Sequence, residues 1–150
     1  MKKEDFIDFN IRYVWQKFAR KYNAEAAKND LTMSWGFTLL NIDNKKGTPS
    51  TKLGPSMGME STSLTRILKN METEGLIERK PDNRDKRMVR LFLTKQGEKA
   101  RDIAATNVMK VDQLIRSNIS PDKLNTFMQV IDSLNKLLDD KNIFESNTKK

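Results

Sequence analysis

The stretch Ser61-Thr62-Ser63-Leu64-Thr65-Arg66-Ile67-Leu68-Lys69-Asn70-Met71-Glu72-Thr73-Glu74-Gly75-Leu76-Ile77-Glu78-Arg79-Lys80, continuing through Pro81-Asp82-Asn83-Arg84-Asp85-Lys86-Arg87 to Met88-Val89-Arg90-Leu91-Phe92-Leu93, decides the fold. Its first part carries Leu64, Leu68 and Met71 at helical spacing, with Ile67 beside them, which predicts a helix over 61–74. Ser61, Thr62, Ser63, Thr65, Arg66 and Lys69 fall largely on the opposite side. Gly75 is a natural stop, since glycine takes the left-handed conformation that ends a helix. Leu76–Lys80 and Met88–Leu93 then read as strands, the second with Val89, Leu91 and Leu93 alternating against Met88, Arg90 and Phe92. The polar, turn-rich segment between them makes the pair a hairpin.

Upstream, Thr51–Met57 reads as a short helix, irregular around Gly54-Pro55 because proline lacks an N–H and crowds the preceding turn. Pro49 fixes an extended step, Ser50 or Thr51 can cap this short helix, and Gly58 supplies a turn. Thr32 is an expected N-cap for a helix over about 33–44 carrying Trp35, Leu39 and Ile42, ended by Asn44-Lys45-Lys46-Gly47. Residues 4–28 read as a first helix: Ile7, Ile11, Val14, Phe18 and Tyr22 form a stripe, and Phe6, Phe9, Tyr13 and Trp15 widen it beyond a half-buried face. Such a helix is central to its domain or shared with a second subunit.

Downstream, Thr94 caps a long helix to about 117, and Ser120-Pro121 opens another to about 140. The tail over 142–150 is polar and expected to fray. A helix pair joined by a glycine turn and followed by a hairpin is a winged helix-turn-helix pattern. The fold class is mainly α with a small β-hairpin wing, in a single domain over 1–150.

Composition narrows function. The chain of 150 residues has 37% hydrophobic and 32% charged residues, with a mean hydropathy of −0.70. No apolar run approaches the roughly 20 residues of a spanning helix. The start Met1-Lys2-Lys3-Glu4-Asp5 lacks the apolar stretch of a signal peptide, so a cytoplasmic location without membrane partners is expected. There is no cysteine and no histidine, which removes disulfides, thiolate metal sites and the commonest general base. With no phosphate loop, metal cluster or catalytic triad, no enzyme, metal or cofactor is expected. The net charge is +8 and the pI about 9.7, which suits a polyanion.

The charge is concentrated. From Arg79 to Arg90, six basic residues (Arg79, Lys80, Arg84, Lys86, Arg87, Arg90) stand against Asp82 and Asp85, a balance of +4. On the helix before it, the hydroxyls of Ser61, Thr62, Ser63 and Thr65 can bond phosphate or base edges. Arg66 can donate two parallel bonds to guanine, and Lys69 can reach phosphate. The plainer reading of each feature is a solvated hairpin and an ordinary amphipathic helix.

These motifs carry a resemblance. Met57–Arg66 resembles the turn and recognition helix of the MarR family of bacterial transcription regulators. Met71-Glu72-Thr73-Glu74-Gly75-Leu76-Ile77-Glu78-Arg79 resembles its Leu-Glu-x-x-Gly-Leu-Ile-x-Arg signature. Asp85-Lys86-Arg87 is similar to the Asp-x-Arg of its wing, and Leu93-Thr94-Lys95-Gln96-Gly97 to the Leu-Thr-x-x-Gly after the wing. The resemblance spans roughly residues 5–140. It implies a homodimer whose first and last helices, about 4–28 and 95–140, intertwine around a DNA-binding lobe of about 31–94. Ile7, Ile11, Val14, Ile131, Leu134 and Leu138 are then interface candidates.

It further implies that helix 61–74 enters the major groove of double-stranded DNA and the wing an adjacent minor groove. There Arg87 would probe, Asp85 would orient it, and Arg84 and Lys86 would contact phosphate. A small lipophilic or phenolic effector in a crevice is also implied, with Tyr13, Trp15, Phe18, Trp35 and Phe37 as candidate lining residues whose alternative use is core packing. Thiol-oxidation sensing, used by some members, is excluded. Two positions depart from the family pattern. Glu60 stands where a Ser-like cap is usual, so Ser61 is a candidate cap one residue later, and Gly54-Pro55 replaces small helix formers. The function expected is a dimeric, sequence-specific regulator, a repressor on a pseudo-palindrome. The alternative is a nonspecific architectural DNA-binding protein with the same lobe; a winged helix repurposed for protein contact is a third reading, against which the basic hairpin speaks.

Overall fold

The computed structural model describes residues 2–140 and 143–144. The tail expected over 142–150 lies outside the described residues apart from 143 and 144. A 3-10 turn, Lys3–Asp5, precedes α1 (Ile7–Ala27), α2 (Met33–Asn41), β1 (Thr48–Pro49), α3 (Ser50–Met57), α4 (Ser61–Thr73), β2 (Ile77–Pro81), β3 (Val89–Leu93), α5 (Lys95–Asn118) and α6 (Pro121–Leu138). The chain forms two compact units, residues 1–108 and 109–150.

In the first unit the core is Leu39, Ile42, Leu53, Leu64, Leu68, Met71, Leu76, Ile77, Leu91 and Ala100. These come from α2, α3, α4, the sheet and the start of α5. Helix α4 ends as its Gly75 predicts, at φ +71. The Gly75 N–H donates to the Glu72 carbonyl at 3.0 Å and the Leu76 N–H to the Met71 carbonyl at 2.9 Å. This paired closure, with Met71 and Leu76 both buried, is a Schellman motif sealed by its apolar contact. It turns the chain directly into β2.

Several boundaries differ from the sequence expectations. Helix α2 stops at Asn41, short of 44, because Ile42 is drawn into the core at 1% exposure in an extended conformation. Thr32 does cap α2, its Oγ1 accepting the Trp35 N–H at 3.2 Å. The hairpin is part of a three-stranded antiparallel sheet, order β1-β3-β2, with Thr48 opposite Leu91 and Pro49 opposite Arg90. Pro49 then holds the N-cap position of α3, and Ser50 is the first helical residue, so neither Ser50 nor Thr51 caps it.

Helix α3 runs unbroken through Pro55. The proline is the sixth of eight residues and is exposed, so it removes a single hydrogen bond near the end. Gly54 is buried where a Cβ would stand 3.2 Å from the Met59 carbonyl oxygen. Its lack of a side chain is what lets the α3–α4 turn close this tightly. Glu60, not Ser61, is the N-cap of α4.

The second unit holds the end of α5 and α6. Ser120 sits at the N-cap of α6 without a side-chain bond, and Pro121 is its first residue. No residue of α6 is buried, nor is any residue of α1 in the first unit.

Candidate nucleic-acid interface

Helix α4 presents the polar face the sequence predicts. Ser61, Thr62, Ser63, Thr65, Arg66 and Lys69 are all exposed, while Leu64, Leu68 and Met71 are buried. Because Glu60 makes no side-chain cap bond, the first N–H groups of α4 are left open to an anion, and the helix dipole adds to that attraction. The hydroxyl of Thr65 donates to the Ser61 carbonyl at 2.8 Å, so Thr65 can only accept from a partner. The hydroxyls of Ser61, Thr62 and Ser63 make no such bond among the described residues. A groove of about 560 Å³ runs between α3 and α4, bounded by Ser50, Thr51, Glu60, Ser61, Thr65 and Arg79.

Glu60 is the one carboxylate in that lining, at the helix end where a phosphate would sit. Glu60→Ser should strengthen duplex binding by a few-fold, at most about 1 kcal/mol for one exposed like charge. Fluorescence anisotropy on a labelled duplex reads this directly, and a loss of affinity would instead make Glu60 a useful contact.

The wing is held by its own carboxylates. Asp82 Oδ1 accepts the N–H of Arg84 at 2.7 Å and of Asp85 at 3.2 Å, and Oδ2 takes Arg90 Nη1 at 2.7 Å. Together the Arg84 N–H, the Arg90 guanidinium and the Asp85 N–H lower the Asp82 carboxyl to about 2. A depressed carboxylate stabilises the folded wing above its unfolded pKa and loses that contribution as pH falls toward 2. That contribution is therefore fully present at neutral pH. Asp85 Oδ1 accepts the Arg87 N–H at 3.0 Å and lies 3.8 Å from Arg87 Nε. The Arg87 side chain is 96% exposed and projects at the wing tip with Arg84 and Lys86, also exposed.

The hairpin's six cations are not equivalent. Arg79 pairs with Glu72 of α4 at 3.0 Å, and Lys80 with Glu78 at 2.6 Å. Arg90 is turned inward: besides Asp82 it donates from Nε to the Lys46 carbonyl at 2.9 Å and from Nη2 to the Gly47 carbonyl at 3.1 Å. Arg84, Lys86 and Arg87 are left to face solvent. Two further cations, Lys45 and Lys46, join the root of the wing from the α2–β1 turn. Only the sheet register brings them there, so nothing in the local pattern singled them out.

The five aromatic crevice candidates separate. Trp15 and Phe37 stack with centroids 5.9 Å apart. They line a cavity of about 450 Å³ with Met33, Ser34, Asn41, Met57, Gly58 and Met59. Tyr13 stacks on Phe9 under Lys17, Phe18 stacks on Tyr22, and Trp35 packs against the core; these three do not line that cavity. Of the interface candidates, Ile7, Ile11 and Val14 are 64%, 46% and 50% exposed, and Leu138 is 68% exposed. Ile131 and Leu134 are half-buried. Among the described residues no helix is long and apolar enough to cross a membrane.

An exposed helix following a glycine turn, beside a basic hairpin on a shared core, defines a winged helix-turn-helix protein. The family model of the MarR family matches residues 31–89. The organic hydroperoxide resistance transcriptional regulator of Bacillus subtilis is 32% identical over 110 residues, 71% of this chain and 75% of the relative. Two solved structures share the fold. A Staphylococcus aureus MepR–DNA complex has a TM-score of 0.82 at 18% identity, covering 89% of this chain and 98% of the other. The PcaV transcriptional regulator of Streptomyces coelicolor, in complex with its natural ligand, has 0.78 at 15%, covering 91% and 96%. The chain belongs to the MarR family of transcriptional regulators.

Proposed function

We propose that this protein is a homodimeric, sequence-specific double-stranded-DNA-binding repressor acting on a pseudo-palindromic operator. The observation that carries the reading is the pairing of two exposed surfaces on one lobe: the Ser61–Lys69 face of α4 and the projecting Arg87. The helix supplies hydroxyls, open N–H groups and Arg66 for the major groove. The wing supplies the extended guanidinium of Arg87, suited to the strong negative potential of a narrow minor groove. Two such lobes related by a two-fold would reach major grooves about one helical turn apart. The apolar residues left exposed on α1 and on α6 support dimerisation, since large apolar patches on a lone chain mark interaction surfaces.

The Trp15–Phe37 cavity supports release by a small lipophilic or phenolic effector; Tyr13, Phe18 and Trp35 lie outside its lining. Without cysteine, the chain cannot be released by thiol oxidation. A regulator of this kind works beside the bacterial chromosome, in the cytoplasm.

Arg87→Ala should weaken binding to the preferred duplex by about 1–3 kcal/mol, roughly 5- to 150-fold, with the fold unchanged. Titration of both proteins against one labelled duplex measures it. Equal affinities would remove Arg87 from the interface.

A further inference from the structure

The turn between α2 and β1 is built to lie on the wing. Asp43 Oδ1 accepts the N–H of both Lys45 and Lys46 at 2.8 Å, and the Gly47 N–H donates to the Asp43 carbonyl at 3.0 Å. These bonds hold the Asp43 carboxyl below its usual range, the Lys46 N–H first and the Lys45 N–H second. Gly47 adopts φ +66, and a Cβ there would meet the Phe92 ring at 2.7 Å. The turn therefore rests directly on β3. Arg90 then ties three pieces together: the Lys46 and Gly47 carbonyls of the turn, its own strand, and Asp82 of the wing.

Between turn and wing this leaves an open cleft of about 620 Å³, lined by Lys45, Lys46, Lys80, Arg84 and Arg90 with Asp82 as its one acid. Asp82 is only 12% exposed and its oxygens are taken by Arg90 and two N–H groups. Lys80 is paired with Glu78 and stands 5.1 Å above the Phe92 ring. The field inside the cleft is set by Lys45, Lys46 and Arg84. A concave wall of one sign concentrates anions. Flexible ammonium groups favour a phosphate held as a point charge over a base edge read by geometry.

We propose that this cleft seats a backbone phosphate of duplex DNA beside the groove the wing enters, with Lys45 and Lys46 as the contacts and Arg90 as the positioning residue that locks their turn to the wing. The inference rests on the duplex-binding reading above. It widens the footprint beyond α4 and the wing tip by a contact that adds affinity without reading sequence.

The test is the salt dependence of duplex binding by the full chain. In Lys45→Ala/Lys46→Ala the turn survives, because Asp43 holds the backbone of those residues and not their side chains. The double variant should bind every duplex more weakly, and the slope of log K against log salt should become shallower by about two per protomer. Lys110→Ala/Lys123→Ala removes the same charge elsewhere and should leave the slope nearly unchanged. Arg90→Gln, which also releases Asp82 in the wing, should lower affinity by a larger factor in the wild type than in the double-lysine background. An unchanged slope in the double-lysine variant, an equal change in the control pair, or an Arg90→Gln loss as large in the double-lysine background as in the wild type overturns the cleft while leaving the duplex-binding reading intact. A wild-type protein that binds no duplex overturns both. In duplexes carrying one neutral methylphosphonate at a time, the position that erases the difference between wild type and double variant marks the seated phosphate. If no position erases it, the seat does not exist.

Discussion

Gly97→Ala is expected to destabilise the protein by at least about 3–4 kcal/mol, lowering its melting temperature by roughly 10 °C at fixed protein concentration. A Cβ on Gly97 would drive into the Leu76 carbonyl oxygen and stand 3.0 Å from that carbonyl's carbon. The oxygen cannot move aside. It accepts the Thr94 N–H at 3.1 Å, and Thr94 Oγ1 lies 3.3 Å from it. The same hydroxyl donates to the Gly75 carbonyl at 2.6 Å and accepts the Gly97 N–H at 3.0 Å. One threonine thus caps α5 and clamps it to the end of α4, and only glycine fits at the third position of that helix. Thermal unfolding followed by circular dichroism measures the effect. A variant melting within about 2 °C of wild type would show that this contact has slack.

The second large effect lies on α1. Ile11→Asp places a charge on a helix that has no buried residue in the single chain. If α1 is half of a subunit interface, that charge is buried unpaired on association, at a cost of about 3–5 kcal/mol. The dimer should dissociate or fail to fold, and light scattering across a concentration series reads the outcome. Were Ile11 simply solvent-facing, the variant would keep its mass and stability, since surface substitutions fall within about 0.5 kcal/mol. A well-folded monomer that still binds the operator would remove α1 from the assembly.

Much of the lobe was legible because its signals are local. Leu64, Leu68 and Met71 state the period of α4, and Gly75 marks a stop that only the left-handed conformation supplies. Val89, Leu91 and Leu93 alternate as a strand must. Thr94 reads as a cap and does cap α5, whereas the need for glycine at 97, set by the Leu76 carbonyl, shows only in the structure. The α4 face, too, could be read from composition and spacing alone.

What could not be read depends on contacts distant in sequence. Strand β1 is two residues long, Thr48–Pro49, too short to show a period and carrying a proline that reads as a breaker. It exists because its partners on β3, Leu91 and Arg90, lie 43 and 41 residues further on. The same register delivers Lys45 and Lys46 to the wing. Counting charges along the hairpin overstated its free cations, since Arg90 serves the turn and Asp82 while Arg79 and Lys80 are paired. Pro55 signalled irregularity, yet its place near the end of a short helix makes its missing N–H matter little. The resemblance offered five aromatic residues of α1 and α2 as one set of crevice candidates, but side-chain stacking sorts them, and of the five only Trp15 and Phe37 reach the cavity.

The most direct test of the central claim is selection of genomic duplex fragments by the purified protein near physiological salt, with sequencing of the bound pool. A dimeric, sequence-specific regulator enriches one pseudo-palindrome with half-sites about one helical turn apart. Salt-sensitive binding with no enriched motif would contradict it and leave a nonspecific architectural protein in its place.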